Sequence, residues 1–348
     1  MRYLGYLFIQ LWVRVGLFCY YRKIKVVGLE NVPSRKPVML LSNHQNALMD
    51  VLLIATQYKK RPWFVTRSDV FRGTFLKSLF GFLQMLPIYR MRDGKTNLHK
   101  NHAVFDQCGK LLNKNEAILL FPEANHNLQR RVRPLNKGFT RIILNALEKN
   151  PKLDLQLIPI GQNYICPTQM GDSAALHFGS PIAVQNFIGS PNFVVEIKQK
   201  VSESLQQLTT HIPESEYQSV SGKFVGLEEL FLKPEHVNAI IADRTYPDTL
   251  THKISPVRRI SRFFFYVWNL PLVFLWRVFL KPRVPELEFE ATFRFGFTLL
   301  AYPLFYLVSM AILWNVYDIK TACLFVVGHA VINIFLVKQG ITSSVRKR

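Results

Sequence analysis

Short apolar runs alternate with longer segments of mixed polarity between Ile24 and about Gln206. Short apolar runs are typical of buried strands, whereas apolar residues that recur every three or four positions indicate amphipathic helices. The alternation predicts an α/β domain over residues 24–210, with a mixed central sheet and flanking helices. The predicted strands are Ile24–Val27, Val38–Ser42, Trp63–Thr66, Ala117–Phe121 and Leu155–Pro159, and the predicted helices are Ala47–Gln57, Thr96–Leu112 and Phe139–Leu147.

The segments on either side of this domain have a different pattern. Residues 1–23 are mainly apolar with several basic residues nearby. Two interpretations are open for them: a helix lying in a membrane interface, or a helix buried against the domain. Residues 211–256 are mixed and polar with several prolines, which predicts a linking arm rather than a second core.

Residues 257–348 contain three apolar stretches, which are Phe263–Leu280, Phe295–Trp314 and Thr321–Val337. About twenty helical residues cross the hydrocarbon core of a bilayer, so the second and third stretches are predicted to form a transmembrane hairpin. Pro271 and Arg277 interrupt the first stretch, which predicts a helix at the membrane interface. Nearly all flanking lysines and arginines then lie on one side, and the positive-inside rule places residues 24–210 on the cytoplasmic face.

The amino-acid composition favours one class of binding partner over another. The 348 residues carry a net charge of +21 together with 49% hydrophobic residues. Nucleic acid and an anionic bilayer both attract positive charge, but only the bilayer also accounts for the long apolar stretches. We therefore expect an anionic membrane lipid, and no nucleic acid, as a partner. The four cysteines include no Cys-x-x-Cys pair, which indicates neither a disulfide framework nor a zinc knuckle.

Candidate chemistry lies directly after the apolar run Val38–Leu41, in the segment Asn43–Asp50. His44 is a candidate general base, and Asp50 is the carboxylate that would hold the tautomer of the ring and stabilise the imidazolium. The alternative is that both residues only cap and orient the following helix, because a histidine and an aspartate six residues apart are weak evidence on their own.

Two later segments extend the candidate site. Arg90 and Arg92 follow an apolar run, and planar guanidinium groups match phosphate oxygens; the alternative for Arg90 is a solvated charge after a strand. The predicted strand Ala117–Phe121 leads into Pro122 and Glu123, at the end where α/β sheets place site residues. Glu123 is expected to bind either acceptor hydroxyls or a basic neighbour.

A basic segment follows Glu123. No acidic residue occurs again before Glu148, and the basic residues between them include Arg130, Arg131, Arg133, Lys137 and Arg141. Such a segment suits an anionic substrate, a basic surface facing the membrane, or both.

In their order along the chain, these motifs resemble those of the glycerophospholipid acyltransferases, the glycerol-phosphate and lysophosphatidate acyltransferases, over about residues 24–210. The segments that carry the resemblance are Gly28–Pro33, Asn43-His44 with Asp50, Ile88-Tyr89-Arg90, Phe121-Pro122-Glu123 and Leu157-Ile158-Pro159-Ile160-Gly161. The run Pro87-Ile88-Tyr89-Arg90 most resembles the glycerol 3-phosphate branch.

Two positions depart from the pattern of that family. Five residues separate His44 from Asp50 where the family usually has four, and one extra helical residue would rotate Asp50 by about 100°. The loop before the helix is therefore expected to absorb the extra residue. Ala124 follows Glu123 where the family usually has glycine. His126 beyond it is expected to cap a turn, and the alternative is that it contributes a hydrogen bond.

The resemblance implies a membrane-bound enzyme of phosphatidic acid and phospholipid biosynthesis. It implies transfer of a fatty acyl group from acyl-CoA or acyl carrier protein to a hydroxyl of glycerol 3-phosphate or 1-acylglycerol 3-phosphate, with no metal and no cofactor beyond the acyl donor. His44 is then the general base, Asp50 orients it, and Glu123 positions the glycerol. The implied substrate-binding residues are Arg90, Arg92, Phe121, Pro122, Glu123, Lys137 and Pro159, of which Arg90, Arg92 and Lys137 hold the phosphate.

Two other classes are open. A metal-dependent hydrolase would use His44, Asp50, Glu123 and His126 as ligands, although the chain has no His-Glu-x-x-His motif. A noncatalytic membrane protein that binds anionic lipid through its basic segments would need neither His44 nor Asp50.

Overall fold

The computed structural model describes residues 2–71, 74–90, 99–247 and 256–340, within which eight strands form one mixed sheet. The strands are β1 (Lys23–Val27), β2 (Val38–Ser42), β3 (Trp63–Arg67), β4 (Met85–Ile88), β5 (Ala117–Leu120), β6 (Gln156–Tyr164), β7 (Ser173–Phe178) and β8 (Ile182–Ala183). Their order is β1-β7-β6-β2-β5-β3-β4, with β8 paired to β6. The predicted mixed central sheet is confirmed.

The centre of the sheet is parallel. Strands β6, β2, β5, β3 and β4 run in one direction, whereas β7 and β8 are antiparallel to β6. The apolar runs of β2 and β5 are completely buried, as expected for parallel strands covered on both faces. Because parallel strands end on the same side, the residues that follow them meet along one edge, here called the carboxyl edge.

Helices cover both faces of the sheet, as predicted. One face is covered by α4 (Asn101–Leu112), α5 (Gly138–Lys149) and α6 (Phe193–Leu208), whose apolar side chains form one core cluster with the strands. The other face packs against α1 (Arg2–Tyr20), α2 (Ala47–Gln57) and the start of α11 (Glu290–Val316). A further helix, α3 (Thr74–Phe82), precedes the edge strand β4.

The sequence pattern located most of these elements. Helix α2 has its predicted bounds, whereas β6 continues beyond the predicted end at Pro159 and α4 begins at Asn101, with Thr96 outside the described residues. The predicted elements did not include β4, β7, β8, α3 or α6. Strand β8 has only two residues and β7 begins with small side chains, so neither shows an apolar run long enough to recognise.

The segment predicted as a linking arm is folded rather than extended. It contains α7 (Tyr217–Lys223) and α8 (Pro234–Asp243), and the Asn238 side-chain amide donates to the carbonyl oxygen of Gln206 in α6 over 2.9 Å. Its buried residues form a small apolar cluster, which contains Ile212, Val220, Phe224, Phe231, Val237 and Ile240. These apolar residues are spread over several short helices in a mainly polar segment, so the sequence shows no apolar run that would indicate a core. The division at residues 23, 210 and 256 stays a prediction.

Helix α1 has two different faces. Leu17 and Tyr20 are buried against the domain, and the Gln10 amide donates to the Ala55 carbonyl oxygen of α2 over 2.8 Å. The other face exposes large apolar side chains, namely Leu4, Leu7, Phe8, Leu11, Val15 and Phe18. The contact expected for a helix buried against the domain is thus present on one face, and a membrane interface for the other face stays a prediction.

The C-terminal region is helical. Helix α11 and helix α12 (Ile319–Lys338) contact each other, and each is long and apolar enough to cross a membrane. They are joined by a tight turn in which the Asp318 carboxylate accepts hydrogen bonds from the Lys320 and Thr321 amides, over 2.7 and 2.9 Å. The predicted helical hairpin is therefore present, and it indicates membrane association.

The first apolar stretch of this region forms a broken helix. Helices α9 (Pro256–Trp268) and α10 (Leu270–Leu275) meet at Asn269, and α10 continues as a helical segment to Arg283. The bend between Arg259–Trp268 and Leu270–Arg283 is 88°. By length and composition the bent pair would be a third span only if it crossed as one unit. Its location at the membrane interface stays a prediction.

Candidate active site

His44 and Asp50 meet at the carboxyl edge. Strand β2 ends at Ser42, and the following loop places His44 Nδ1 2.8 Å from Asp50 Oδ2. The Asp50 side chain is fully buried, whereas the His44 side chain keeps 15% of its surface exposed. With Nδ1 held by the carboxylate, Nε2 is the ring nitrogen left to exchange a proton with a bound molecule. The pairing predicted from the sequence is thus present as a geometry.

Three groups hold the Asp50 carboxylate. Besides His44, the Asn46 amide donates to Oδ2 over 2.8 Å and the Tyr164 hydroxyl donates to Oδ1 over 2.5 Å. Burial, with Asp50 adding to it, raises the pKa of Tyr164 well above its ordinary value, so the hydroxyl remains a donor at neutral pH. These bonds fix the plane of the carboxylate and therefore the orientation of the His44 ring.

The loop absorbs the extra residue of the first motif, as expected. Ala47, the first residue of α2, has a φ of 42°, a left-handed conformation that is uncommon for a residue with a side chain. The left-handed residue lies between His44 and Asp50, and the two side chains are in contact despite the longer spacing. The Asn46 side chain anchors the loop by donating to the Pro167 carbonyl oxygen over 2.8 Å.

Glu123 binds a basic neighbour, the second of the two partners predicted for it. Its carboxylate is buried, and Arg133 donates to it from the backbone amide and from Nε, each over 3.1 Å, as well as from Nη2. Burial raises the pKa of Glu123, and Arg133 offsets this effect in part. The His44 carbonyl oxygen accepts from the Asn127 amide over 3.1 Å and from Arg133 Nη2 over 3.4 Å. The Glu123–Arg133 pair therefore braces the loop that carries His44.

Phe121 forms the wall behind the histidine. Its ring stacks on His44 with 4.0 Å between ring centroids and 18° between planes. Pro122 is buried beside it, and its carbonyl oxygen accepts from the Asn136 amide over 2.8 Å. This contact links the end of β5 to the start of α5. A flat apolar wall limits rotation of the imidazole about its bond to the chain.

Arg90 lies on the same edge of the sheet as His44. It follows β4, which is separated from β2 by β5 and β3, so the two strands are about 14 Å apart. Its guanidinium is 3.7 Å from the Asp69 carboxylate, which also pairs with Arg67 at the end of β3. The hydrogen bond from Arg67 is the main reason that the pKa of Asp69 is lowered. Arg67 thus joins Arg90 in one basic cluster, and Arg92 lies outside the described residues.

Comparisons with known proteins agree with these motifs. Residues 23–169 match the Acyltransferase family. The chain is 26% identical over 206 residues to the chloroplast 1-acyl-sn-glycerol-3-phosphate acyltransferase of Arabidopsis thaliana, covering 56% of this chain and 52% of that protein. It is 28% identical over 116 residues to glycerol-3-phosphate O-acyltransferase 1 of Saccharomyces cerevisiae, covering 31% of this chain and 15% of that protein. Over residues 23–169, the chain is therefore similar to the glycerophospholipid acyltransferases.

The sequence matches cover only part of this chain and only part of each relative. The chain spans about half the length of the plant relative and a smaller part of the yeast relative. Among solved structures, the 1-acyl-sn-glycerophosphate acyltransferase of Thermotoga maritima is 16% identical with a TM-score of 0.39, covering 53% of this chain and 69% of that chain.

Two further predicted residues have clear places in the acyltransferase domain. Lys137 is exposed at the start of α5, directly after the segment tied to Pro122. Pro159 is buried in β6, between the residues that pair with β8 and those that pair with β7. A proline fits here because the antiparallel ladder is interrupted at this point. The roles assigned to both residues stay predictions.

Three of the five basic residues of this segment bind acceptors within the protein, which corrects its interpretation as a substrate-facing surface. Arg130 donates to the carbonyl oxygens of Tyr164 and Ile165 over 2.6 and 2.7 Å. Arg131 pairs with Glu214 at 2.7 Å, and Arg133 pairs with Glu123. Lys137 and Arg141 remain exposed. The charges of the three arginines were visible in the sequence, but their acceptors were not.

His126 contacts the site rather than only capping a turn. Its ring lies 5.7 Å from the His44 ring centroid, edge to face, and its Nε2 is 3.2 Å from a Glu286 carboxylate oxygen. Burial is the main cause that lowers the pKa of His126, and Glu286 acts in the opposite direction. The C-terminal region therefore reaches the candidate active site. Within the described residues, histidine, cysteine, aspartate and glutamate form no group of three suited to a metal ion.

Proposed function

We propose that this chain is a membrane-bound O-acyltransferase that acylates a hydroxyl of a glycerol phosphate. The single observation that carries the proposal is the 2.8 Å contact between His44 Nδ1 and the buried Asp50 carboxylate at the carboxyl edge. An imidazole oriented in this way is a general base for an alcohol, and the basic residues along the same edge suit a phosphate.

The proposed reaction is direct acyl transfer. His44 Nε2 takes the proton of the acceptor hydroxyl while the oxygen attacks the acyl carbonyl of a thioester donor. The C–O bond of the new ester forms, the C–S bond breaks, and His44 returns the proton to the thiolate that leaves. Asp50 stabilises the imidazolium between these steps, as in other histidine–carboxylate pairs.

The acceptor phosphate is proposed to bind at the arginine cluster. Arg90 and Arg67 bring two guanidinium groups together beside Asp69, and Lys137 offers another positive group near Pro122. Glu123 is proposed to act through Arg133, which holds the loop of His44, rather than by touching the acceptor. Arg92 is proposed to assist Arg90.

The finer substrate assignment follows the relatives. Glycerol 3-phosphate and 1-acylglycerol 3-phosphate are the proposed acceptors, since the names of the matched plant and yeast proteins include one each. Acyl-CoA or acyl carrier protein is the proposed donor, with no resident cofactor. The proposed setting is the cytoplasmic face of a membrane that contains anionic lipid.

The test is His44→Ala in membranes that contain the full chain. We expect acyl transfer to fall by about a hundred- to ten-thousand-fold, because the general base is removed. His236→Ala is the matched control, since His236 is exposed on α8 in the segment that follows residues 24–210, and it should retain activity. Equal activity of the two variants would remove His44 from the mechanism.

A panel of acceptors assayed with one labelled acyl donor identifies the substrate. Glycerol 3-phosphate, 1-acylglycerol 3-phosphate and a lysolipid without a free phosphate are compared at equal concentration. Preference for an acceptor with a phosphate monoester supports the arginine cluster as its site. Preference for the lysolipid without it contradicts that assignment.

A further inference from the structure

A basic chamber lies outside the active site, between the broken helix α9–α10 and helix α11. Its volume is about 220 Å³. Its charged lining residues are Arg262, Arg277, Lys281, Arg294 and Glu290. Tyr266 and Trp276 add aromatic rings to the wall, and the remaining lining is mainly apolar.

The charges of this chamber are not balanced by the protein. Glu290 is buried and pairs with Arg294 and with Lys281, the latter at 3.3 Å. Arg262 and Arg277 lie over the Tyr266 ring, and within the described part of the chain neither pairs with a carboxylate. Two guanidinium groups over the same ring repel each other, and an anion that contacts both offsets this repulsion. The geometry suits a phosphate, which accepts hydrogen bonds from both.

A second, apolar chamber of about 200 Å³ adjoins the first. It lies between α1, α11 and α12, and its lining is almost entirely apolar, with Trp12, Val15, Leu299 and Ile334 among its residues. Both chambers are lined by the same three residues, which are Met170, Thr298 and Tyr302. A charged compartment and an apolar compartment therefore meet within the membrane-associated part of the chain. A ligand that fills both must be amphiphilic.

We propose that the two chambers together bind one phosphate-bearing membrane lipid, with the headgroup at Arg262 and Arg277 and an acyl chain between α1, α11 and α12. A zwitterionic lipid brings its own positive charge into a chamber that already has four, so an anionic headgroup such as phosphatidate is the favoured ligand. A free phosphate ion would leave the apolar chamber unused.

The proposed site adjoins the active site through one loop. The Pro167 carbonyl oxygen accepts from the Asn46 side chain, whereas the Thr168 carbonyl oxygen accepts from Arg294 Nη1 over 2.8 Å. Asn46 in turn holds Asp50, but no lining residue of either chamber belongs to the His44–Asp50 pair. Lipid binding here is therefore a separate property that does not depend on the proposed acyl transfer.

The experiment is photolabelling of the full chain in neutral detergent with dioleoyl phosphatidate that carries a diazirine in one acyl chain. Labelling is mapped by mass spectrometry, and labelling at the chamber residue Ile334 is divided by labelling at Leu324, which is exposed on the same helix. We expect the double variant Arg262→Gln/Arg277→Gln to lower this ratio at least tenfold. The matched control is Arg259→Gln/Arg283→Gln, which removes the same charge from exposed positions outside the chamber and should leave the ratio unchanged.

Further arms identify the source of the phosphate and separate the two proposals. Photoreactive phosphatidylcholine should label Ile334 poorly, and neither inorganic phosphate nor glycerol 3-phosphate should protect it from photoreactive phosphatidate. His44→Ala should label as the wild type does, whatever its activity. The proposal is overturned if both double variants label equally, if free phosphate protects Ile334, if phosphatidylcholine labels as well as phosphatidate, or if His44→Ala abolishes the signal.

Discussion

At the residue scale, three hydrogen-bond partners restrain Asp50 in the candidate active site. A buried carboxylate is costly unless its oxygens are paired, and here His44, the Asn46 amide and Tyr164 share them. Losing one donor leaves the carboxylate partly unsatisfied and free to rotate. The orientation of the imidazole then becomes less precise, although both members of the pair are still present.

Tyr164→Phe tests this restraint. We expect kcat to fall by about tenfold with little change in KM, because a hydrogen bond to a charged group is worth about 1.5–3 kcal/mol and acts here on the base rather than on substrate binding. The measurement is steady-state acyl transfer in membranes. Tyr21→Phe is the control, since Tyr21 is buried in the same core and its hydroxyl has no hydrogen-bond partner within the described residues. A fall of the same size in both variants would indicate general loss of packing.

Asp172 makes stability depend on pH. Burial raises the pKa of Asp172 to about 7, although the Cys166 and Ser173 amides and Arg130 act against this shift. In the unfolded chain an aspartate has a pKa of about 4. Between about pH 4 and pH 7 the folded protein therefore binds more protons at this site than the unfolded chain. Its contribution to stability is present below about pH 4 and is lost as the pH rises through 7.

Asp172→Asn should remove this dependence. The asparagine retains an oxygen for the Cys166 amide, 2.9 Å away in the wild type, but it cannot ionise. We expect the variant to be more stable than the wild type above pH 7, with a difference that shrinks as the pH approaches 4. The measurement is thermal unfolding of the purified protein across this range. Asp243→Asn, at an exposed site on α8, is the control and should change stability little at any pH. If the stabilities of Asp172→Asn and the wild type change with pH in the same way, Asp172 is not the cause of the pH dependence.

At the element scale, the contact between β6 and α6 depends on a glycine. A Cβ atom built on Gly161 would lie 2.0 Å from the Leu208 carbonyl oxygen at the end of α6. No rotation of a side chain relieves this contact, because the obstructing atoms belong to the backbone. The helix reaches its observed position only because residue 161 has no side chain.

Gly161→Ala should therefore lower the free energy of unfolding by about 3 kcal/mol or more, since α6 or β6 must shift. Thermal unfolding of the full chain measures this. Gly138→Ala is the matched control, because a Cβ atom at Gly138 would meet no atom within 4 Å and the residue begins a helix. That variant should be neutral or more stable by up to about 1 kcal/mol. Equal stabilities of the two variants would show that the contact is not close in solution.

At the scale of the whole molecule, the exposed apolar surfaces lie on α1, α9–α10 and the hairpin of α11 and α12. The end of α12 is tied to α1, because Lys338 Nζ donates to the Phe18 and Tyr21 carbonyl oxygens over 2.6 and 2.9 Å. Since α1 also packs on α2, the hairpin is attached to the face of the acyltransferase domain that carries Asp50. Domain and membrane helices thus form one connected structure.

The topology of this structure can be measured with reporters. If α11 and α12 both cross, a reporter after Gly340 should lie on the cytoplasmic side, and one inserted at the turn after Val316 should lie on the opposite side. The physical reason is that the basic residues flanking the hairpin are retained on the cytoplasmic side. A C-terminal reporter on the far side would contradict the two-span arrangement and favour a third crossing by α9–α10.

The sequence was sufficient for features that are local in the chain. The strands β2 and β5 are continuous apolar runs, and only six positions separate His44 in the loop after β2 from Asp50 in the first turn of α2, so pattern and spacing located them. The two long apolar helices were likewise predictable, because crossing a bilayer requires a minimum length of apolar residues. In each case the physical cause acts within about twenty residues.

Tertiary structure alone decided which distant groups meet. Tyr164 reaches Asp50 across 114 positions and Glu286 reaches His126 across 160 positions. In the sequence, Arg130 and Arg133 can be recognised only as positive charges. In the structure, Arg130 donates to a backbone carbonyl oxygen and Arg133 pairs with Glu123. The order of the strands and the packing of the helices determine these contacts. The preference of a short segment for helix or strand does not determine them. The same reason applies to the two chambers, whose walls come from helices that no short stretch of sequence contains together.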